Sequence, residues 1–456
     1  MTPAALADQP AAEIGRTLAA RGGGSVALTE TFLERIAGQD APVYITLTGA
    51  RALAEAAAAD ARLAAGRAVS PLDGVPFAWK DLVDMAGERT TVASALFRDA
   101  PPAETDAPVV RNAARAGMVS LGKLNLAEFA YSALGQNPHY GTPLNPQSKS
   151  AHAPGGSSSG SGVAVAAGLA PAALGSDTAG SVRIPASFCG VVGFKTSEGQ
   201  VPVSNCFALS RTQDTLGPLG KTVEDCALVY NVLRGVPGPA PAAARLDRIT
   251  LVVAEGLVLS GLDPAVAANF DASLRRLAAR GVRIRHIELP ALDRAAEMLR
   301  DTGSIVAAEA FFEHRAIMDS PRAIRMDQRI RARIEIGRKM SAHDLVALQR
   351  QRLRGQGDIR AALDGAFLAM PTTAGTAPAV ADFEGDDDAF RALNLRANRN
   401  TAIGSFYDLP GLAIPNGSDD GGLPTSFLLS ACSGGDLALL GAGRAAEAAI
   451  RNGQKT

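Results

Sequence analysis

Apolar and polar positions alternate along the chain in helix-length and strand-length units that follow one another from end to end. Residues 10–70 read as helical. The clearest part is the alanine-rich run Ala50 to Ala65, punctuated by Leu53 and Leu63 and stopped by Gly66. A turn over Pro71 to Pro76 follows, and Phe77-Ala78-Trp79 then reads as a short buried strand that delivers Lys80. Asp106, Pro108, Val109, Val110, Ala113 and Ala114 predict a helix capped by the Asp106 carboxylate and ended by Gly117, with a strand over Met118 to Gly122. The same succession recurs later. Asp263 and Pro264 open a helix with Val266, Phe270, Leu274 and Leu277 on one face; Gly281 closes it, and Val282 and Ile284 then alternate with Arg283 and Arg285 as in a strand. Arg325 to Lys339 mixes cations with isoleucines, which predicts an amphipathic helix with a solvated face. Further strands are expected at Phe367 to Pro371, Leu412 to Pro415 and Ser426 to Leu429.

Helices alternating with strands over the full length predict an α/β fold with a covered sheet. The Pro- and Ala-rich stretch Val236 to Arg245 either separates two domains or loops over the surface of one. The acidic knot Glu384 to Asp388 reads as a solvated loop. No internal repeat is visible.

Composition narrows the function classes. The 456 residues are 47% hydrophobic and carry a net charge of −1, so there is no electrostatic footprint for nucleic acid or an anionic membrane. Cys189, Cys206, Cys226 and Cys432 form no C-x-x-C pair and suit reduced, mostly buried thiols in a cytoplasmic protein. The N-terminus lacks a basic region with an apolar core, and no apolar run has transmembrane length, so neither secretion nor membrane insertion is expected. The five histidines show no i,i+4 pair, and no metal site is expected.

Candidate chemistry concentrates between Pro154 and Lys195. Two hydroxyl-rich segments, Pro154 to Gly162 and Gly175 to Pro185, bracket an apolar run. Glycine beside serine lets backbone approach a ligand closely. A plain linker would not be followed at once by residues that demand burial. Gly156 to Gly160 matches G-x-S-x-G with Ser158 in the nucleophile position, but Gln147 to His152 is too polar for the strand that motif requires. The loop also lacks the Lys of a P-loop. Ser120 to Lys123 matches S-x-x-K on a strand rather than at a helix start, and Lys123 reads as structural. What remains is Lys80 with Ser157 and Ser181. With no histidine suitably placed, a serine nucleophile needs another base, and a lysine can serve if burial lowers its pKa by roughly 3 units.

The set Gly155-Gly156-Ser157-Ser158-Ser159-Gly160-Ser161, then Gly175-Ser176-Asp177-Thr178-Ala179-Gly180-Ser181-Val182-Arg183-Ile184-Pro185, resembles the amidase signature family. The resemblance is nearly continuous over residues 72–233. It includes Gly74 to Asp81, Gly122 to Asn125 with Glu128 and Phe129, Phe188 to Lys195, and Asp214 to Pro218. Weaker echoes follow at Met370 to Thr372 and Asp408 to Gly411. The fold it implies is one amidase domain over 1–456, with a large mixed β-sheet covered by helices on both sides. Residues 1–70 would be a helical N-terminal part, 72–233 the signature core, and 248–456 a C-terminal part that supplies strands, helices and pocket cover.

The resemblance also implies a triad, with Ser181 as nucleophile, Ser157 as proton relay after a cis peptide bond, and Lys80 as general base and acid. The backbone N–H groups of Thr178, Ala179, Gly180 and Ser181 would form the oxyanion hole; Asp177 and Arg183 match the family's supporting residues and read as a structural ion pair, and Ser158 and Ser159 would be hydroxyls that support the loop. Ala179 stands where the family usually has glycine, so the walls of that hole should differ. Phe129, Ala130, Tyr131 and Phe207, and less closely His139 and Tyr140, resemble segments lining the acyl pocket. The implied reaction is hydrolysis of a small-molecule carboxylic amide, without cofactor, in a protein for which a homodimer is allowed. The glutaminase component of a tRNA-dependent amidotransferase resembles the chain over the same motifs, but Asn394 to Thr401 is more similar to standalone bacterial-type amidases. A non-catalytic relative would have lost Lys80 or a serine, and all three are present.

Overall fold

Eleven strands form one mixed sheet in the computed structural model, which describes residues 1–451. In chain order they are β1 (Tyr44–Leu47), β2 (Pro76–Lys80), β3 (Val119–Leu124), β4 (Ala172–Asp177), β5 (Val192–Lys195) and β6 (Thr215–Gly220). Then follow β7 (Thr250–Glu255), β8 (Arg283–Glu288), β9 (Phe367–Pro371), β10 (Gly411–Ser418) and β11 (Pro424–Ser430). Across the sheet their order is β1-β3-β2-β4-β6-β5-β10-β11-β9-β7-β8. The β3-β2-β4 and β9-β7-β8 groups are parallel, and the remaining pairings are antiparallel.

Every residue of β2, β3, β4, β5, β6 and β11 is buried. Their apolar runs lack the two-residue alternation of a half-solvated strand because helices cover both faces. The edge strand β8 differs: Arg283, Arg285 and His286 are exposed, and charges on an edge discourage pairing with another chain.

Most elements lie where the sequence pattern predicts them, and some do not. Tyr44 to Leu47, inside the stretch read as helical, is a strand antiparallel to β3, as its Tyr-Ile-Thr-Leu composition favours. Asp106 does not cap the helix Pro108–Arg115; its carboxylate takes both ends of the Arg51 guanidinium at 2.9 Å and the Ala86 N–H at 2.8 Å. Asp263 stands at the start of the helix Pro264–Ala279 but pairs with Arg396 at 2.6 Å rather than with the helix N–H groups. The acidic knot is largely a helix start: Asp386 accepts from the Asp388 and Ala389 N–H groups and opens the helix Asp387–Phe406. The cationic run begins with a 3-10 turn, Pro321–Arg325, before the helix Gln328–Lys339. Residues 236–245 cross the surface, held by Ala244 N–H donating to Gly441 O at 2.9 Å, while strands from both sides of them meet where β5 pairs with β10. Among the described residues no helix is long and apolar enough to cross a membrane, and the four cysteines are free thiols.

Candidate active site

The parallel strands β2 and β4 end side by side, which brings Lys80 next to Ser176. Carboxyl ends of parallel strands are where open α/β sheets bind ligands. Lys80 is fully buried. Its Nζ donates to three hydroxyls, Ser157 Oγ at 2.7 Å, Ser176 Oγ at 2.8 Å and Ser158 Oγ at 2.9 Å, and to no carboxylate. Burial lowers its pKa to about 7, against the opposing pull of the Asp177 and Asp214 charges. Ser158 therefore touches the lysine directly instead of merely supporting the loop. Ser159 opens the helix Ser159–Ala166, and its buried hydroxyl has no partner. Ser176 is a contact that sequence reasoning missed, because nothing in a strand reading singles out one serine.

Ser157 follows a cis peptide bond with Gly156. The loop Ala127 to Ala133 grips that peptide from both sides. Ala127 N–H donates to Ser157 O at 3.0 Å, and Gly156 N–H donates to Ala133 O at 2.7 Å. A Cβ on Gly156 would meet Ser132 O at 2.3 Å, so only glycine allows this approach. Within the gripping loop Phe129 and Ala130 both take positive φ, 55° and 57°, a left-handed backbone that non-glycine residues rarely adopt.

Ser181 lies in the loop after β4 and is nearly buried. Ser158 N–H donates to Ser181 O at 3.3 Å, which ties the two serine loops together. Asp177 anchors the turn. Its Oδ1 accepts from Gly180 N–H at 2.7 Å, and its Oδ2 accepts from Val182 N–H at 3.1 Å and from Arg183 Nε at 2.9 Å. The Arg183 guanidinium completes a two-pronged ion pair with Asp177 and reaches Thr401 O and Ser405 Oγ at 3.0 and 2.7 Å. Burial alone would raise the Asp177 pKa, but the charge and hydrogen bonds of Arg183, with help from Lys195, bring it to about 2. Gly180 N–H, expected among the oxyanion donors, is committed to this carboxylate. Gly180 itself has φ 131°, and a Cβ there would meet Thr401 Oγ1 at 2.2 Å. Ala179 is not among the positive-φ residues, so its methyl group brings no backbone conflict; its carbonyl accepts from Thr401 Oγ1 at 2.9 Å.

A cleft beside Lys80 is lined by Ala130, Ser176, Thr178, Cys206, Phe207 and Asp214, among others. Phe129 and Tyr131 stand behind this lining in an apolar cluster with Leu209, Ile330 and Ile334. His314 was not anticipated. It stacks on Phe207 with ring centres 4.8 Å apart, and its Nε2 is 2.9 Å from Ala208 O. His139 and Tyr140 do not line the cleft: His139 faces Glu128 Oε1 at 3.1 Å, and Tyr140 lies under Arg98. Asp214, also unanticipated, accepts from Thr178 Oγ1 at 2.6 Å; burial raises its pKa to about 6 despite that bond and those from Ser210 and Leu209. Lys123 stays apart from the hydroxyl network, paired with buried Asp81 at 2.7 Å.

The chain is 35% identical over 442 residues to 2-amino-5-chloromuconic acid deaminase of Comamonas testosteroni, covering 94% of this chain and 93% of that protein. It is 34% identical over 438 residues to the A component of Glutamyl-tRNA(Gln) amidotransferase from Koribacter versatilis (strain Ellin345), covering 88% and 90%. A solved structure described as the crystal structure of an amidase superposes with a TM-score of 0.85 at 30% identity, covering 97% of this chain and all of that one (100%). The family model described as Amidase matches residues 27–440, and the chain therefore belongs to the amidase signature family as a hydrolase of amide C–N bonds.

Proposed function

We propose that the chain hydrolyses a small to medium carboxylic amide to the acid and ammonia or an amine, through an acyl-enzyme on Ser181. The observation that carries this reading is Lys80, buried, bonded only to hydroxyls and brought to a pKa of about 7. At that value about half the molecules hold a free amine at neutral pH, against about one in a few thousand for an ordinary lysine. An ammonium can donate to all three serines at once. The neutral amine has only two N–H bonds and a lone pair, so one hydroxyl must turn and donate back to it. Ser157, the shortest of the three contacts, is the natural donor.

In this reading Ser157 passes the Ser181 hydroxyl proton to Lys80 as Ser181 Oγ bonds to the amide carbon. The charge that develops on the carbonyl oxygen is received by backbone N–H groups of Thr178, Ala179 and Ser181, donors fixed in place before reaction. Lys80 returns the proton through Ser157 to the leaving nitrogen as the C–N bond breaks. Water then attacks the Ser181 ester along the same relay. Catalytic hydrogen bonds of this kind commonly tighten only once substrate is present.

Ser181→Ala should abolish turnover of a susceptible amide while far-UV circular dichroism and the melting temperature stay unchanged. Lys80→Ala should lower kcat by a factor of about 10² to 10⁴. Full activity in Ser181→Ala would overturn the assignment. A second reading, glutaminase within an amidotransferase complex, is favoured by the similarity to the amidotransferase A component. Glutamine hydrolysis that emerges only once the other components of such a complex are supplied would establish it over the standalone enzyme.

A further inference from the structure

We infer that one face of the helix Asp387–Phe406 holds both serine loops, with Asn394 positioning the proton relay and Thr401 positioning the nucleophile turn, an inference that rests on the acyl-enzyme reading of Lys80, Ser157 and Ser181. Asn394 and Thr401 stand two turns apart on this helix, so their side chains leave it on the same side. Both are buried. Ala397 between them belongs to one apolar cluster with Ala133 and Leu134 of the relay side and with Ile184 and Phe188 of the helix after Ser181.

Asn394 acts on the relay. Its Oδ1 accepts from Ala133 N–H at 2.8 Å. Ala133 O in turn accepts from Gly156 N–H at 2.7 Å, and Ser157 Oγ lies 2.7 Å from Lys80 Nζ. A line of short contacts thus runs from the helix to the base. The backbones along it touch directly: a Cβ on Gly135 would meet Gly155 O at 2.4 Å, and one on Gly156 would meet Gly135 N at 2.7 Å. With no gap to absorb it, a shift of the Ala133 segment is passed on to Ser157. The Asn394 Nδ2 is buried and has no acceptor among the described residues. Stranded buried donors are few in folded proteins, and such local rules are broken where function requires the group. Here the oxygen of the same amide is the part the relay loop uses.

Thr401 acts on the nucleophile. Its Oγ1 donates to Ala179 O at 2.9 Å, while the N–H at the other side of that peptide, Gly180 N–H, donates to Asp177 Oδ1 at 2.7 Å. The Ala179–Gly180 peptide is therefore fixed by both its polar groups. Its orientation sets the aim of the Ala179 and Ser181 N–H groups on either side, two of the oxyanion donors.

The test gives the full-length protein two substrates with one acyl group. The leaving nitrogen of an amide must be protonated through Ser157, whereas the phenoxide of a p-nitrophenyl ester leaves without a proton. Acetamide, butyramide and benzamide with their matching esters form the panel, and the Ser181→Ala rate is subtracted as background. Asn394→Leu should lower kcat/KM for the amide about 10- to 100-fold more than for the ester, the effect of misplacing a reacting group by about 1 Å. Asn394→Asp, which keeps an oxygen for Ala133 N–H, should recover part of the amide-to-ester ratio. Partial unfolding lowers both substrates by the same factor, so the ratio reads the relay even in a variant that melts early. Thr401→Val removes the hydroxyl from a side chain of the same shape. Both reactions use the oxyanion donors, so it should lower kcat roughly 10- to 100-fold for both and leave the ratio alone. The amide KM, which approximates a dissociation constant when chemistry is slow, should hold. Here kcat is taken per Ser181 labelled to completion by a fluorophosphonate, which counts competent sites. An unchanged ratio in Asn394→Leu overturns the relay role, and a full kcat per labelled site in Thr401→Val overturns the other. Amide turnover surviving in Ser181→Ala would instead remove the acyl-enzyme reading beneath both.

Discussion

One proton on Lys80 decides what the site can do. As the base it must be neutral, so kcat/KM should be low in acid and rise through about pH 7, the value to which burial lowers the group. Two carboxylates, Asp177 and Asp214, keep it from falling further. Asp214, with a pKa of about 6, is mostly ionised at pH 7. Asp214→Asn removes one of these negative charges, which makes the ammonium less favourable. The acid limb of kcat/KM against pH should therefore move to lower pH, whatever happens to its height. A limb that stays in place or moves upward would sink the electrostatic account. The same shift bears on stability: because Lys80 titrates at about 7 when folded, against 10.5 as the ordinary value, the unfolded chain binds the extra proton between those values. This group's contribution to stability thus rises with pH across that window. Lys80 was legible in the sequence because an apolar run delivers it. Ser176 and Asp214 were not, since their closeness to Lys80 depends on strand neighbours: β4 lies between β2 and β6.

Among elements, the buried pair of Asp177 and Arg183 joins the end of β4 to the helix Arg183–Cys189 and to the helix Asp387–Phe406 through Thr401 and Ser405. Replacing Arg183 by Met leaves a buried carboxylate without its cation, and the loss should be about 3–5 kcal/mol by denaturant unfolding. Asp177→Asn combined with Arg183→Met should lose less than the two single changes added together, because no lone charge remains. Asp177, lowered to about 2, stabilises the fold above the ordinary carboxylate pKa, and that stability is lost as pH falls through about 2. In Arg183→Met this acid dependence should shrink. The resemblance to the amidase signature family singled out both residues in the sequence; their long-range partners Thr401 and Ser405 carry no local signal. Asp106 shows the opposite failure. A cap is a local inference worth about 1 kcal/mol, and here a bidentate arginine from another helix claimed the carboxylate instead.

For the whole molecule the open question in the sequence was Val236 to Arg245, a boundary or a surface loop. The alternation of helices and strands predicted a covered sheet, but strand order is set by contacts between distant segments, so no local pattern could show that both sides of this stretch share one sheet. The join itself is short, three residue pairs between β5 and β10. It is reinforced by the helix Asp436–Ile450, which packs on β10 and β11 and on the helix Val223–Leu233. Asp436 accepts from Ser197 N–H at 2.8 Å, and Lys195 reaches Asp408 at 3.5 Å. These ties argue that the chain unfolds as one cooperative unit. Trp79, the one tryptophan in the sequence, is buried in β2 on the N-terminal side and donates to Ser120 Oγ at 3.2 Å, so its fluorescence reports that side alone. Far-UV circular dichroism reports every helix. In a urea titration the two signals should change with the same midpoint, as one transition requires. If the circular dichroism lost a large share of its amplitude before Trp79 responded, the sheet would be dividing at the β5–β10 join, and residues 248–456 would behave as a domain of their own.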